Sequence, residues 1–414
     1  MGGHLCLSPN KTKTRIPMQA VRFLHKALAQ VLPNVHAKRL NALMCAVSAL
    51  LAGKRLTLTA VGRFMPGNGQ PRHAIKRADR LLGNQHLHAE RPLFYLMILR
   101  ALLGSLKHPL VLVDWSPVDA PGCFFLLRAA IPLAGRSFVI YERVHEREGC
   151  PKYQGQLLKA LALMLPPDCV PILVADSGFR RPWFKAVEAQ GWYYVGRVRN
   201  SDLCRIGEQP WQSIKALYQQ ASGSPKSLGT YEVTRKAPYF TQFYLLKEPA
   251  LGRKHKRVTG TIAEDKRSRQ NASREREPWL LASNLPSEQW NAAKVVAIYK
   301  RRMQIEEGFR DVKSEHLGFG LNLHRSRCAK RIEILLLIAS LANYVVFLLG
   351  FKARLAGYEQ RFQSNSIAHK RALSLWRLGV EYLYRYGQED TSASFIEVEL
   401  ALRQEVHQQA QDLG

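Results

Sequence analysis

The sequence predicts a mixed α/β fold with helices flanking a sheet, and the order of its apolar patterns supports this. Apolar residues recur at helical spacing through residues 1–107, and alternating strand and helix patterns follow over residues 108–200. Residues 201–278 are polar and strand-like, and a strand followed by helices returns over residues 279–350. This order predicts an all-α N-terminal domain and a sheet domain that is interrupted by a β-rich insertion.

The chain is strongly basic. Its 414 residues include 61 Lys and Arg against 32 Asp and Glu, so the net charge is +29 and the pI is about 10.1. A hydrophobic content of 46% is enough to bury a core, which excludes a disordered basic tail. Seven cysteines without a CxxC pair argue against a zinc ribbon and favour reduced thiols in the cytoplasm. The expected partner is therefore a polyanion such as DNA.

The N-terminal region is predicted to hold helices at residues 22–32, 37–51 and 93–106. Pro92 stands just before the third helix as a start signal, and Thr59 is positioned to cap a short helix between the second and the third. These helices surround a basic segment.

That basic segment contains Lys76, Arg77 and Arg80, which suit contact with the DNA backbone. A solvated helical face is the alternative explanation for such a cluster. The charge of the whole chain favours DNA.

The predicted sheet begins with three antiparallel strands and continues with alternating helices and strands. The strands are expected at residues 110–114, 124–131, 137–144, 170–176 and 192–198, with helices at 156–165 and 182–190. Within the insertion, the densest basic stretch of the chain runs from Arg253 to Arg276 and is expected to form a loop. Residues 334–351 are apolar and close to bilayer-crossing length, but Ser340 and Asn343 interrupt them, so a buried helix is favoured over a membrane span.

Two strands of the predicted sheet end in an aspartate, Asp114 and Asp176. Ligands collect where strands end in open α/β sheets, so the two carboxylates can converge on one metal site. A carboxylate at the end of a buried apolar run is unfavourable unless something pairs with it. A helix N-cap or an Asx-turn is the alternative for each aspartate.

A third acid lies on a helix predicted from residue 289 onward. At about 100° per residue, one narrow stripe of this helix holds four polar residues: Tyr299, Arg302, Glu306 and Lys313. The helix's other two acids fall outside the stripe, which singles out Glu306. Gly308 inside the helix indicates close approach by another backbone or by a ligand. A salt-bridged surface helix is the alternative, because Arg302 and Glu306 form an i,i+4 pair.

Asp114, Asp176 and Glu306 offer the oxygen ligands that Mg²⁺ prefers, and Mn²⁺ is the expected substitute. Two metal ions about 4 Å apart on three carboxylates suit in-line displacement at phosphorus, which predicts nuclease or strand-transfer chemistry.

Three further residues on the helix are predicted to contact phosphates near the scissile bond: Tyr299, Arg302 and Lys313. Arg197, in the strand at residues 192–198, is also predicted to contact DNA.

The motifs resemble those of bacterial insertion-sequence transposases with a DDE catalytic domain, in particular the hairpin-forming, cut-and-paste group called the insertion sequence four family. The Tyr-Arg-Glu-Lys signature of that group matches the stripe described above, with two, three and six intervening residues. Its Asp motifs match Val-Asp-Trp-Ser at Asp114 and Ala-Asp-Ser-Gly-Phe at Asp176. The similarity runs from about residue 20 to residue 390 and includes residues 75–84.

The resemblance implies an RNase H-like catalytic domain with its insertion at residues 201–278. It also implies a DNA-end-binding domain at residues 1–107 and a helical C-terminal region at residues 351–414. Such enzymes act as a dimer on the terminal inverted repeats of a transposon: they nick each end, form and reopen a hairpin, and join the ends to target DNA. A cytoplasmic, nucleoid-associated location follows.

Trp279 matches the tryptophan that stacks on an extruded base in this family. A core tryptophan at a strand start is the alternative. Met303 stands where the family often has a second tryptophan, and its apolar side chain suits insertion into DNA.

Two other functions stay open: an RNase H-like nuclease without strand transfer, and an inactive protein that binds transposon ends as an inhibitor. Trp279 together with the signature argues against the first, and the presence of all three acids argues against the second.

Overall fold

Helices make up most of residues 18–103 of the protein. The computed structural model describes residues 18–118, 122–199, 202–249, 261–262, 276–363, 371–386 and 394–411. The first five helices are α1 (Met18–Val31), α2 (Ala37–Gly53), α3 (Leu58–Phe64), α4 (Pro71–Leu82) and α5 (Gln85–Leu103). They share one hydrophobic core with the rest of the described chain, from Ala20 to Val406.

Two predicted helix starts in this region are wrong. Helix α5 begins at Gln85, because the Asn84 side chain accepts the Leu87 N–H at 2.9 Å and caps the helix, so Pro92 lies inside α5. Helix α3 is capped two residues earlier than expected. The Thr57 hydroxyl accepts the Ala60 N–H at 3.2 Å, which places Thr59 within the helix.

Within the described residues, ten strands form one sheet in the order β3-β2-β1-β4-β5-β10-β9-β8-β6-β7. The strands are β1 (Leu110–Pro117), β2 (Phe125–Leu133), β3 (Arg136–His145), β4 (Ile172–Ala175), β5 (Tyr193–Val198), β6 (Leu203–Arg205), β7 (Gln212–Ser213), β8 (Lys226–Val233), β9 (Tyr239–Leu246) and β10 (Trp279–Ser283). Strands β1, β4 and β5 run parallel to one another, and all other neighbours are antiparallel. The structure confirms a mixed α/β fold with a large, mostly antiparallel sheet, consistent with an RNase H-like core.

The strands between β5 and β10 extend this sheet, because β9 pairs with β10 and β8 pairs with β9. Apart from Arg276, the cations of the predicted basic stretch lie outside the described residues.

Helices cover the sheet and complete the second half of the chain. They are α6 (Pro151–Met164), α7 (Arg181–Glu188), α8 (Ala292–Lys300), α9 (Met303–Lys313), α10 (Ala329–Leu355), α11 (Leu375–Arg385) and α12 (Phe395–Gln411). The prediction of one helix through residues 299–313 is wrong. The N–H of Arg302 bonds to the carbonyl of Tyr299, three residues back, so a tight turn at Arg301 and Arg302 separates α8 from α9.

Helix α10 is long and apolar enough to cross a membrane by length and composition, yet its most apolar window is 100% buried inside the protein. It packs against α2, α5, α11, α12 and β3. Its interrupting Asn343 accepts the indole N–H of Trp376 at 2.8 Å, so this buried amide has a partner. A helix that is apolar on all sides belongs in a core, as the sequence predicted.

Candidate active site

Asp114 lies inside β1, next to the parallel strand β4; the prediction that this strand ends at Asp114 is wrong, because pairing with β2 continues to Pro117. Its side chain is 15% exposed, and one carboxylate oxygen accepts the backbone N–H of Trp115 at 2.8 Å. Burial and the neighbouring carboxylate of Asp176 raise the pKa of Asp114 to about 7, although Arg302 acts in the opposite direction. The surroundings of Asp114 therefore favour the approach of a further positive charge.

Asp176 directly follows β4. The pairing of Val113 with Ala175 across β1 and β4 places the next residues, the two aspartates, beside each other. Oδ1 of Asp176 accepts the backbone N–H of Gly178 at 2.8 Å, so Asp176 forms an Asx-turn. This turn and a place in the candidate site are compatible, because the carboxylate also lines the cavity described below.

Glu306 reaches the same place from the first turn of α9, with its side chain 45% exposed. Arg302, at the turn before α9, contacts two of the acids: Nη2 lies 2.8 Å from Oε1 of Glu306, and Nη1 lies 3.6 Å from Oδ2 of Asp114. Burial alone would lower the pKa of Arg302, but Tyr299 and the three carboxylates raise it above its ordinary value. The guanidinium thus stays charged between the acids.

The three acids line one cavity of about 440 Å³, called the acid cavity from here on. Its other lining residues are Trp115, Ser116, Glu148, Gly149, Gly178, Arg302 and Phe309. Within the described ranges, no three His, Cys, Asp or Glu side chains are arranged to hold a single metal ion, and Glu306 is paired with Arg302. Glu148 comes from the loop after β3 and was missed, since nothing in its local sequence distinguishes it from a surface acid.

Residues 127–343 match the family model described as a transposase DDE domain. The match covers about half of the chain, includes Asp176 and Glu306, and begins after Asp114. The chain belongs to the DDE transposase family. No curated protein matches it.

DDE transposase domains generally act with divalent metal ions. The donor set of this transposase fits such ions, because all three candidate ligands are carboxylate oxygens. The raised pKa of Asp114 points the same way, since a cation would relieve the unfavourable proximity of two half-buried like charges.

The other side of α9 contacts β3. Arg136 lies 3.0 Å from Asp311 and 3.4 Å from Glu307, so these two acids point away from the acid cavity. A Cβ at Gly308 would lie 2.5 Å from the hydroxyl oxygen of Ser137, which confirms the close approach expected at this glycine. The glycine lets α9 lie close to the sheet, and this brings Glu306 to the aspartates.

Tyr299 and Trp279 form an aromatic pair near the end of α8. The rings meet edge to face with centroids 5.2 Å apart; Tyr299 is buried and Trp279 is half-buried. The guanidinium of Arg197 lies 5.9 Å from the Trp279 ring and donates to the carbonyl of Glu277 at 3.2 Å. Burial lowers the pKa of Arg197 to about 10. Trp279 therefore packs against the core and still presents part of its ring to solvent.

Met303 and Lys313 lie at the two ends of α9. Met303 is 51% exposed, and its sulfur accepts a hydrogen bond from Nη2 of Arg302 at 3.3 Å. The ammonium of Lys313 donates to the Ser116 hydroxyl at 2.9 Å and to the Pro117 carbonyl at 2.6 Å. Because Ser116 lines the acid cavity, Lys313 stands at its edge.

The cations predicted on the N-terminal helices lie on α4 and do not line the acid cavity. Lys76 and Arg80 are exposed, whereas Arg77 is half-buried and donates to the carbonyl of Pro66 at 2.6 Å.

A buried ion pair beneath the acid cavity was missed. Arg128 and Glu142 are each 1% exposed and 2.8 Å apart, and they form a cross-strand row with Asp114 over β1, β2 and β3. The Arg128 guanidinium also lies 4.5 Å from the ring centre of Phe309 on α9. A usable signal existed, namely a lone arginine inside the apolar run of residues 125–133.

A basic cavity of about 490 Å³ adjoins the acid cavity through Ser177, which follows Asp176. Four arginines line it: Arg180, Arg181, Arg197 and Arg199. Only Arg197 was predicted. Arg180 and Arg181 lie at the start of α7, and Val233 of β8 and Tyr239 of β9 complete the cavity across the sheet.

Proposed function

We propose that the protein is a cut-and-paste DNA transposase of the hairpin-forming insertion sequence four family. The proposal depends above all on one observation: Asp114, Asp176 and Glu306, from three separate elements, line one cavity beside Arg302. Residues 75–84 are similar to the transposase of a tetracycline-resistance transposon, which supports the same group.

In this proposal the three acids hold two Mg²⁺ ions, with Mn²⁺ as a substitute. Held by Asp114, Asp176 and Glu306, such ions would supply activation of a water or a 3′-hydroxyl and stabilisation of the departing oxygen. The role of the polypeptide is to hold the three carboxylates close together in a partly buried cavity. Strands β1 and β4 fix the two aspartates side by side, and α9 brings Glu306 to them.

Phosphate groups near the scissile bond are bound by the remaining signature residues. The guanidinium of Arg302 offers parallel N–H donors to phosphate oxygens. Lys313 adds a charge at the edge of the acid cavity, and the phenol of Tyr299 donates to a further oxygen. The buried setting of Tyr299 limits its motion, which favours one orientation of the DNA backbone.

Hairpin formation requires that a base leave the helical stack. Trp279 stacks on that base, held from below by Tyr299 and flanked by Arg197. Met303 inserts its exposed side chain where the base had been.

Residues 1–107 bind the transposon ends, with Lys76, Arg77 and Arg80 on the DNA backbone. A groove of about 880 Å³ between α3 and residues 323–335 supports this role, because five arginines line it: Arg55, Arg63, Arg325, Arg327 and Arg331. Residues 108–200 and 279–350 form the catalytic domain, and residues 201–278 form its insertion. Residues 351–414 form a helical C-terminal region. The protein works as a homodimer on the inverted repeats and on target DNA, and it is located in the cytoplasm at the nucleoid.

The decisive experiment incubates the protein and Mg²⁺ with end-labelled duplex carrying the element's own termini, followed by denaturing electrophoresis. We expect nicks, hairpins and joined products. Asp114→Ala, Asp176→Ala and Glu306→Ala each abolish nicking while end binding persists in a gel-shift assay. Nicks without joined products would indicate a nuclease, and binding without nicks would indicate an inactive inhibitor.

A second experiment tests the stacking role. Trp279→Ala is expected to stall the reaction at nicked ends, because the extruded base loses its platform. Trp211→Ala is a matched control, since Trp211 is also half-buried and carries an arginine, Arg205, 4.9 Å from its ring centre. Normal hairpin yields from the Trp279 variant would remove the stacking role.

A further inference from the structure

Arg302 bonds to the acids themselves. One guanidinium nitrogen lies 2.8 Å from Oε1 of Glu306 and another lies 3.6 Å from Oδ2 of Asp114. The side chain is 14% exposed, so these contacts take place in a partly buried setting where charge attraction is weakly screened. One side chain thus supplies positive charge to two of the three carboxylates.

These same carboxylate oxygens are the ones that a divalent cation would need. A metal ligand oxygen must lie about 2.0–2.6 Å from its ion, so the ion and the guanidinium cannot both be seated among these oxygens. Two cations at such short range also repel each other. The contacts seen in the structure are therefore in competition with metal binding.

We propose that Arg302 is an internal competitor for the metal site, and that a DNA phosphate removes this competition by drawing the guanidinium away from Asp114 and Glu306. DNA and metal then bind cooperatively, because each favours the same position of Arg302. The inference rests on the proposed function in one respect: it takes the acid cavity as the metal site.

The surroundings of Arg302 allow such a movement. Its Nε is buried without a hydrogen-bond partner, so leaving this position breaks no bond at that atom. Glu306 is 45% exposed and Met303 is 51% exposed, so the cavity opens toward solvent on the side of α9 where both residues stand. The backbone of Arg302 has helical angles at the turn between α8 and α9, so rotation of the side chain requires no unwinding.

Reciprocity makes the proposal quantitative. If DNA raises the affinity for the ion by some factor, the ion raises the affinity for DNA by the same factor. A protein without the arginine should show tighter metal binding without DNA and little further gain when DNA is added.

The experiment titrates the full-length protein with Mn²⁺ alone and follows the loss of the free-ion signal by electron paramagnetic resonance. Arg302→Gln is expected to bind Mn²⁺ about tenfold more tightly than the wild type, a change equal to about 1.4 kcal/mol. Arg310→Gln is the matched control: it removes the same charge from nearby in α9, but Arg310 pairs with Glu307 and does not line the acid cavity, so the affinity should stay unchanged. If the Gln variant fails to fold, Arg302→Lys serves instead, with an expected affinity between those of wild type and Gln.

A second arm repeats the titrations with a duplex oligonucleotide. DNA should tighten Mn²⁺ binding to the wild type by about the same tenfold factor and leave Arg302→Gln nearly unchanged. Equal or weaker Mn²⁺ binding by Arg302→Gln, or an equal DNA effect in both proteins, overturns the competitor role.

Asp114→Asn separates this inference from the proposed function. Loss of Mn²⁺ binding in Asp114→Asn without any tightening in Arg302→Gln rejects only the competitor. Mn²⁺ binding that Asp114→Asn does not weaken rejects the metal site and the competitor together.

Discussion

Helix α9 presents acids on two sides, and the two sides differ in how their charges are neutralised. Toward the acid cavity, Glu306 is 45% exposed and shares Arg302 with an aspartate from another strand. Toward β3, Asp311 is 7% exposed and pairs with Arg136, which also holds Glu307. One helix thus carries Glu306, whose counter-ion Arg302 borders the acid cavity, and Asp311, which is buried against its counter-ion Arg136. The difference teaches that accessibility, rather than residue type or a shared counter-ion, marks the acids suited to chemistry.

The largest effect should separate Glu306 from its neighbour. Glu306→Gln is expected to lower the rate of DNA nicking by at least about 1,000-fold, which corresponds to about 4 kcal/mol in the barrier, because the acid cavity loses one of three carboxylates. Glu307→Gln removes the same charge one position along and should change the rate by less than about threefold. Single-turnover nicking assays measure both, and similar losses in the two variants would erase the distinction between the sides of α9.

Removal of Arg136 should affect folding more than any exposed change. Arg136→Ala leaves the buried Asp311 without its cation, so the free energy of unfolding is expected to fall by about 3 kcal/mol. Arg143→Ala on the same strand is the control, because Arg143 is 47% exposed and should cost less than about 0.5 kcal/mol. Urea unfolding of the two variants gives the comparison, and equal stabilities would mean that the Arg136 pair contributes nothing.

The pH dependence of stability should reveal Asp311. Burial raises the pKa of this carboxyl to about 7 from an ordinary 3.8, although Arg136 opposes the shift. Because the pKa of Asp311 is higher in the folded state than in the unfolded state, the folded state favours the protonated carboxyl. Its contribution to stability is fully present below pH 3.8 and is lost as pH rises through about 7. Relative to Asp311→Asn, the wild type should therefore lose about 2 kcal/mol between pH 5 and pH 7. Unfolding free energies measured across this range test the point; parallel curves would contradict it.

The smallest expected change in stability comes from the contact between Gly308 of α9 and Ser137 of β3. Gly308→Ala places a methyl group against the Ser137 hydroxyl, and the crowding, partly offset by better helix propensity, should cost about 1 kcal/mol. Ser137→Ala removes the buried, unpartnered hydroxyl and should be nearly neutral. The double variant should recover the lost stability in thermal unfolding, and no recovery would show that the crowding lies elsewhere.

Much of the site was predictable because its residues follow local rules. Asp114 and Asp176 end apolar runs that become adjacent parallel strands, so their proximity follows from topology. Glu306 was separated from the other acids of its helix by angular position, although the turn at Arg302 breaks the helix that the count assumed. The errors at Pro92 and Thr59 arose where a stronger cap, Asn84 or Thr57, lies a few residues earlier.

The site residues that were not predicted owe their positions to contacts between segments that are distant in sequence. Arg128 meets Glu142 through the register of β2 and β3, and Glu148 reaches the acid cavity through a loop. No local pattern fixes such a register.

The sequence by itself determined the basic charge, the alternating elements and the choice of three candidate acids, because these depend on composition and on spacing within a few turns. Only the tertiary structure decided which cation each acid meets. That choice depends on how closely α9 packs on β3 and how β1 lies beside β4, and thus on contacts between residues far apart in the chain.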